Sequence, residues 1–323
     1  MNKVARNFPK IRLLKGFQLN EEITILMIFL FIFIVVSIIV PQFRTIYNFL
    51  SVFRQFSLIS IVAMGETLVL ISGGFDLSVG SIAALSGMFT AHMMVTFNWP
   101  IWLSVIIGMS IGGFCGLLNG LLVGKVKINP LIATLASGWI FNGIILITTK
   151  GWPVAELPKP FYFLGQGYLL GIPFPIIIML VIGVILSVFL SKTVYGRNIY
   201  AVGGNERASI LSGLNVDNVK IMVFVMCGLF AGFAGIVLSS RMGSAQATGG
   251  TQWPLPAIAA AVIGGVSLSG GKGKIYGVII GSALLGIINN ILVLLHVSPY
   301  WQSLISGFIL IGAVAIDTIR KGR

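Results

Sequence analysis

Charge is scarce in this chain of 323 residues: Asp, Glu, Lys and Arg together make up 9% of it. A soluble domain carries about 25%. Acid is scarcer than base, with 8 Asp and Glu against 21 Lys and Arg, and there are only 2 histidines and 2 cysteines. With 57% hydrophobic residues and a mean hydropathy of +1.02, this excludes a soluble enzyme, a disordered tail and a fibrous protein. Cys115 and Cys227 both lie in apolar runs, so no disulfide framework is implied and each reads as a small core residue. His92 and His296 are far apart, and no Cys/His cluster has metal spacing. Lys125, Lys272 and Lys274 follow glycines, but none is followed by Ser or Thr, so there is no phosphate loop of the G-x-x-x-x-G-K-[ST] kind. Neither an enzyme nor a cofactor site is expected. A formal charge of +13 would suggest nucleic acid on a soluble chain. Here the positions of the charges relative to the apolar segments decide their meaning, and no nucleic-acid partner is expected.

What the chain does have is long apolar runs. A bilayer core of about 30 Å takes about 20 apolar helical residues to cross. Ten candidate spans run over 23–40, 56–72, 79–97, 101–123, 131–148, 174–191, 219–239, 255–268, 276–295 and 301–316. A spanning backbone must satisfy its own hydrogen bonds, and the unbroken run 23–40 excludes the alternating pattern of a β-barrel. Glu21 and Glu22 interrupt the approach to that first run and no small-residue cleavage site follows, so it reads as an uncleaved span. With the N-terminus in the cytoplasm, only Arg44, Arg54, Lys150, Lys159 and Arg241 fall outside; the other sixteen basic residues fall inside. That asymmetry predicts ten spans with both termini cytoplasmic. The same basic loops can also bind anionic lipid. The chain reads as one transmembrane domain, 1–323, with a basic cytoplasmic tail at 1–22 and a cytoplasmic loop at 192–218.

The stretch Gly116-Leu-Leu-Asn119-Gly-Leu-Leu-Val123 recurs 170 residues later as Gly286-Ile-Ile-Asn289-Asn-Ile-Leu-Val293. Pro130, Ser137, Gly138 and Gly143 match Pro299, Ser306, Gly307 and Gly312 at a spacing of 169. Spans four and five therefore resemble nine and ten, either as an internal repeat or by chance similarity between Gly-rich helices, and one register kept across two helices favours the repeat. Five spans separate the copies, an odd number, so the second copy is inverted; inverted repeats are a transporter signature.

Candidate sites are few. Of the acidic residues, Glu66 alone falls within a span, where a charge costs about 2.5–3.5 kcal/mol. Gly73, Gly74, Asp76 and Ser78 punctuate spans two and three: the glycines break a helix, and Asp76 or Ser78 can cap the next. Such a break is either a surface turn or a feature of the translocation path. Asn119, Asn142, Asn289 and Asn290 belong near that path or at helix contacts. The polar stretch 195–217 predicts a short helix, 206–211, capped by Asn205 and ended by Gly213. On the cytoplasmic face it can enter a groove on a partner or lie on lipid. The outer segments 150–175 and 241–256 read as gates, a docking surface or passive loops.

The stretches 73–81 and 195–216, and Ala257-Ile-Ala-Ala-Ala-Val-Ile-Gly-Gly265 followed by Ser267-Leu-Ser-Gly-Gly271, resemble the ribose-type sugar permeases of bacterial ABC importers, within the branched-chain amino acid and sugar permease family. The resemblance runs from about 47 to 317. It implies an all-α polytopic membrane protein of ten spans in two inverted five-helix repeats, similar to the vitamin-B12-type (type II) importers, in the bacterial inner membrane. It implies a small neutral sugar as solute, a second permease copy or paralogue, separate ABC ATPase subunits and an extracytoplasmic sugar-binding protein. It further implies that Gly203, Gly204, Asn205, Glu206, Arg207, Ala208, Ser212 and Gly213 form the coupling helix seated on the ATPase. Where family members often carry acidic residues before the Ala-Ile-Ala-Ala motif, this chain has Pro254-Leu-Pro256, and Glu66 stands where relatives often have Met or Gln. The rival expectation is a stand-alone ion-coupled carrier that uses Glu66 or Asp76.

Overall fold

The computed structural model describes residues 21–298 and, beyond them, 300–302, 304–305, 307–309, 311–312 and 315. Most of the basic tail, Pro299 and Ser306 of the repeat, and Asp317 lie outside the described residues. The described residues are helical almost throughout. In order come α1 (Glu21–Ile39), α2 (Ile46–Ile71), α3 (Val79–Val95), α4 (Ile101–Gly124), α5 (Pro130–Thr149), the single-turn α6 (Phe163–Gln166), α7 (Phe174–Lys192), α8 (Val194–Gly204), α9 (Glu206–Leu211), α10 (Val216–Met242), α11 (Pro254–Ile263) and α12 (Ile275–Leu294). A two-residue hairpin, β1 (Tyr168–Leu169) with β2 (Ile172–Pro173), leads into α7. The described residues between 300 and 315 are helical.

Among the described residues six helices, α2, α4, α5, α7, α10 and α12, are long and apolar enough to cross a membrane. α3 has 17 residues and α11 only 10. At 1.5 Å per residue α11 covers about 15 Å, roughly half a bilayer core. The expected span 255–268 is thus corrected: helix ends at Ile263 and a glycine-rich loop follows. α2 begins ten residues before the expected 56, because Thr45 accepts the Asn48 N–H at 3.2 Å and caps it there. Its first turns carry Asn48, Arg54 and Gln55, whose polarity hides them from a hydropathy reading.

Two helices run through the middle. α2 packs against α7, α10, α11 and α12, and α10 packs against α2, α3 and α4. Lipid-like surroundings offer no hydrophobic gain for helix pairing, so small residues and polar contacts hold such bundles together. Both are present. Gly112, Gly116, Gly120 and Gly124 repeat every four residues on the face of α4 toward α10. A Cβ on Gly112 would lie 2.5 Å from the Gly228 carbonyl, one on Gly120 2.7 Å from the Ile221 Cα, and one on Gly116 inside contact distance of the Phe224 carbonyl. The two backbones therefore touch. On the other side, Asn48 of α2 and Asn290 of α12 exchange two amide hydrogen bonds, at 3.0 and 2.8 Å. Asn290 is thus a helix contact.

The glycine seam is testable. Gly116→Ala is expected to cost about 1–3 kcal/mol by overpacking against backbone. Gly143→Ala is expected to cost nothing, because no atom lies within 4 Å of its would-be Cβ. Thermal unfolding of the two variants in detergent checks the contrast.

Candidate functional site

α2 stops at a break that is buried. Ser72 ends the helix, and Gly73 takes a φ of +86°, which folds its N–H and that of Gly74 back to the Leu70 and Val69 carbonyls, each at 2.9 Å. The next backbone groups have no helix to satisfy them, and side chains from α2, from α5 and from the break itself do so instead. Glu66 Oε1 accepts the Asp76 N–H at 2.9 Å. Thr134 Oγ1 of α5 accepts the Leu77 N–H at 3.1 Å. Asp76 Oδ1 accepts the Ser78 N–H at 2.9 Å and its hydroxyl at 2.5 Å. Asn119 of α4 donates to Ser78 Oγ at 2.8 Å, and Cys227 of α10 donates to Glu66 Oε2 at 3.7 Å. Glu66, Asp76, Ser78, Asn119 and Thr134 are all fully buried.

Of the two caps expected, Ser78 is corrected, whereas Asp76 accepts the N–H just before α3. Ser78 occupies the N-cap position of α3 but its side chain makes no capping bond, because the hydroxyl is engaged by Asp76 and Asn119. Asp76 turns toward Ser78. Two acceptors in this cluster, Asp76 Oδ2 and Asn119 Oδ1, are buried without a donor among the described residues. Burial without a partner costs about 1–3 kcal/mol per group.

The loop between α7 and α10 is a pair of helices where the sequence suggests one. α9 lies at Glu206–Leu211, with Asn205 Oδ1 accepting the Ala208 N–H at 2.9 Å and Gly213 at a φ of +82°. α8 precedes it, capped by Thr193, which accepts the Gly196 N–H at 3.0 Å. Its glycines conceal it in the sequence, and burial of Gly196, Ile199 and Val202 on one face stabilises it. Gly204, Asn205, Glu206, Arg207, Ala208, Ser212 and Gly213 are exposed. Gly203 is not: its missing Cβ makes room for the Ile71 carbonyl at the end of α2, and that carbonyl accepts the Gly271 N–H at 2.8 Å. Tyr200 of α8 donates to the Gly273 carbonyl at 2.7 Å. The hairpin thus sits on the end of α2 and on the loop after α11. Lys220 binds both oxygens of Glu206 at 2.8 Å, and Lys127 pairs with Asp217. Exposed pairs contribute about 0–1 kcal/mol each, so they orient the surface more than they stabilise it. Leu211, 89% exposed, stands at its tip.

A cavity of about 740 Å³ opens between α2, α11, α12 and the helical residues after 300. Gln55, Thr251, Gln252, Trp253, Asn289 and Gln302 supply its polar and aromatic lining, and none of its described lining residues is charged. Asn289 faces it, whereas its repeat counterpart Asn119 is locked in the break. Glu66 and Asp76 do not line it. Trp253 and the glutamines escape a sequence reading, for their only signal is a Gly-, Gln- and Pro-rich segment of no fixed role.

The family described as the permease component of branched-chain amino acid transport systems matches residues 48–314. The ribose import permease protein of Bacillus subtilis is 45% identical over 286 residues, 88% of each chain. The L-arabinose ABC transporter permease protein of Azospirillum brasilense is 40% identical over 306 residues, 95% of this chain and 90% of that one. The D-allose transport system permease protein of Escherichia coli is 39% identical over 277 residues, 86% and 85% of the two chains. No solved structure matches the chain.

Asp76→Asn keeps an oxygen for Ser78 and adds a donor beside Asn119, whereas Asp76→Ala strands the Ser78 N–H. Asp76→Asn is expected to unfold at or above the parent temperature, and Asp76→Ala to lose about 1–3 kcal/mol. Equal damage from both, in detergent thermal scans, would show that the break needs the negative charge itself.

Proposed function

This chain belongs to the permease-component family of branched-chain amino acid type transport systems, and from that footing we propose that it is the sugar-conducting permease subunit of a bacterial ABC importer. It is a multi-pass protein of the inner membrane. It performs no covalent chemistry; ATP hydrolysis belongs to a separate subunit, and an extracytoplasmic binding protein delivers the solute. One observation carries the mechanism. The same helix, α2, meets the α8–α9 hairpin through the Ile71 carbonyl and the cavity through Gln55. A push on Glu206, Arg207 and their exposed neighbours is thereby passed to a helix that walls the cavity. In this reading residues 204–213 seat on the ATPase, Gly203 transmits the push, and the cavity, with Asn289, is the translocation path. Gly73, Gly74, Asp76, Ser78 and Asn119 form the fixed break at which α2 gives way to α3.

The single domain of ten spans in two inverted halves is part of the same proposal. α2 and α10 begin 170 residues apart, and Gly73 and Gly243, also 170 apart, both take positive φ after them. α10 packs on α3 and α4 as α2 packs on α11 and α12. Gly80 and Gly250, again 170 apart, meet: a Cβ on Gly80 would collide with the Gly250 carbonyl. Residues related by a pseudo-two-fold meet only near its axis. Cytoplasmic termini follow from the distribution of basic residues. A second permease copy or paralogue, and lipid, would cover the apolar face of α5, where Trp139 and Ile147 are each 80% exposed. The ion-coupled alternative is disfavoured, because Glu66 and Asp76 bond to the backbone of the break and neither lines the cavity.

Co-purification tests the proposal. The tagged chain is expected to bring down an ATPase subunit. The double variant Glu206→Arg, Arg207→Glu reverses the charges of an exposed surface without touching the core. It is expected to lower ATP-driven sugar uptake in vesicles at least about tenfold, as like-charge contacts at an interface cost several kcal/mol. Absence of an ATPase, with unchanged uptake in the variant, would reject the coupling assignment. Uptake driven by an ion gradient alone would reject the importer.

A further inference from the structure

We propose that Trp253 is the platform on which the ring of a neutral monosaccharide rests in transit, with Gln55, Gln252 and Asn289 receiving its hydroxyl groups. The inference builds on the cavity as the sugar path. Its volume of about 740 Å³ falls within the roughly 300–1,000 Å³ usual for small-molecule sites.

Trp253 is held from behind. Its N–H donates to the Gly250 carbonyl at 2.9 Å, and its own carbonyl accepts the Ala257 N–H at 2.9 Å, which starts α11. The indole lies against Gly250, with Cε3 and Cδ2 only 3.0 and 3.2 Å from where a Cβ would stand. Gly250 takes a φ of +83° and presses its carbonyl on Gly80 at the start of α3. The Cδ2–Cε3 edge of the ring thus lies close to backbone that is itself anchored, and the half-buried indole borders the cavity.

The lining fits one solute class. A sugar ring has apolar C–H faces and a rim of hydroxyls that both donate and accept. An aromatic plane covers the first, and primary amides, which also donate and accept, match the second. A charged solute finds nothing equivalent. No described lining residue is charged, and α11, which starts at the cavity, has proline at its first and third positions. Pro254 and Pro256 lack the N–H groups that would otherwise face an anion at a helix N-terminus. Gln55 and Gln252 are exposed, so each sugar contact displaces water and the net gain is small. Weak holding is what a path requires: tight binding of the passing solute would slow release.

The test uses the complete importer, this chain with its ATPase and sugar-binding protein, in proteoliposomes. Uptake of D-ribose, L-arabinose and D-allose is measured together with ATP hydrolysis. Trp253→Leu is expected to lower uptake of the transported sugar about tenfold or more, the scale of losing a shape-matched apolar contact. Hydrolysis stimulated by loaded binding protein is expected to stay within about twofold, because the coupling surface is untouched. Trp253→Phe, which keeps an aromatic face, is expected to recover uptake to within about threefold. Parental uptake in Trp253→Leu overturns the platform. So does a joint fall of uptake and hydrolysis that Phe does not rescue, which marks a packing role. A parental complex that moves none of the three sugars overturns the sugar-permease assignment, and the platform with it.

Discussion

A polypeptide at membrane depth has no water to satisfy its amides, and the architecture follows from that constraint. Regular helix solves the problem over most of the chain. It fails where α2 ends, and Glu66, Asp76, Ser78, Asn119 and Thr134 are drawn together to solve it there. Five polar side chains in an apolar interior would be costly if each stood alone. Set around one break, they satisfy its backbone N–H groups and, apart from Asp76 Oδ2 and Asn119 Oδ1, one another, and they tie α2, α3, α4, α5 and α10 to a common point. On the other side of the bundle, the turn after α10 meets the same demand with proline, which removes N–H groups from the start of α11 so that fewer need partners.

Legibility in the sequence followed the range of the interactions. α4, α5 and α7 lie within a residue or so of the apolar runs that predict them, because a long hydrophobic run has one stable form in a bilayer. α9 is legible for another reason: Asn205 and Gly213 are local signals that specify its two ends. What escaped depended on contacts between distant segments. α8 is rich in glycine and is stabilised by the face it buries against the rest of the protein. The first turns of α2 are polar because they meet Asn290 and the cavity, and α11 is short because the chain leaves the helix at Gly264 and Gly265, where Gly264 lies against the Gly277 backbone of α12. Asp76 and Ser78 were visible as polar residues near two glycines, but which accepts from which depends on Asn119, 41 residues away. The cavity joins six separated places along the chain, from Gln55 through Leu77 and Leu135 to Gln302 and Gly307, and no window along the chain contains it.

α2 gives the molecule its mechanical economy. It is the most buried of the spanning helices, it ends against the surface hairpin, and its other half walls the cavity. Few side chains intervene between those two places, since one backbone joins them. The hairpin is built to transmit: Gly203 brings backbone against backbone at Ile71, with no flexible side chain between.

The seam between α4 and α10 has a consequence for how the protein can evolve. At Gly112 and Gly116 the smallest step that mutation can take, the addition of one methyl group, already meets a carbonyl on the facing helix. Each such step overpacks the seam at a cost of about 1–3 kcal/mol, so replacements that would widen the spacing are opposed from the first one. The cavity wall is under no such rule, because its side chains point into open space and can be exchanged one at a time. Lineages that share this scaffold are therefore free to diverge in what they carry while the distance between these two helices stays fixed.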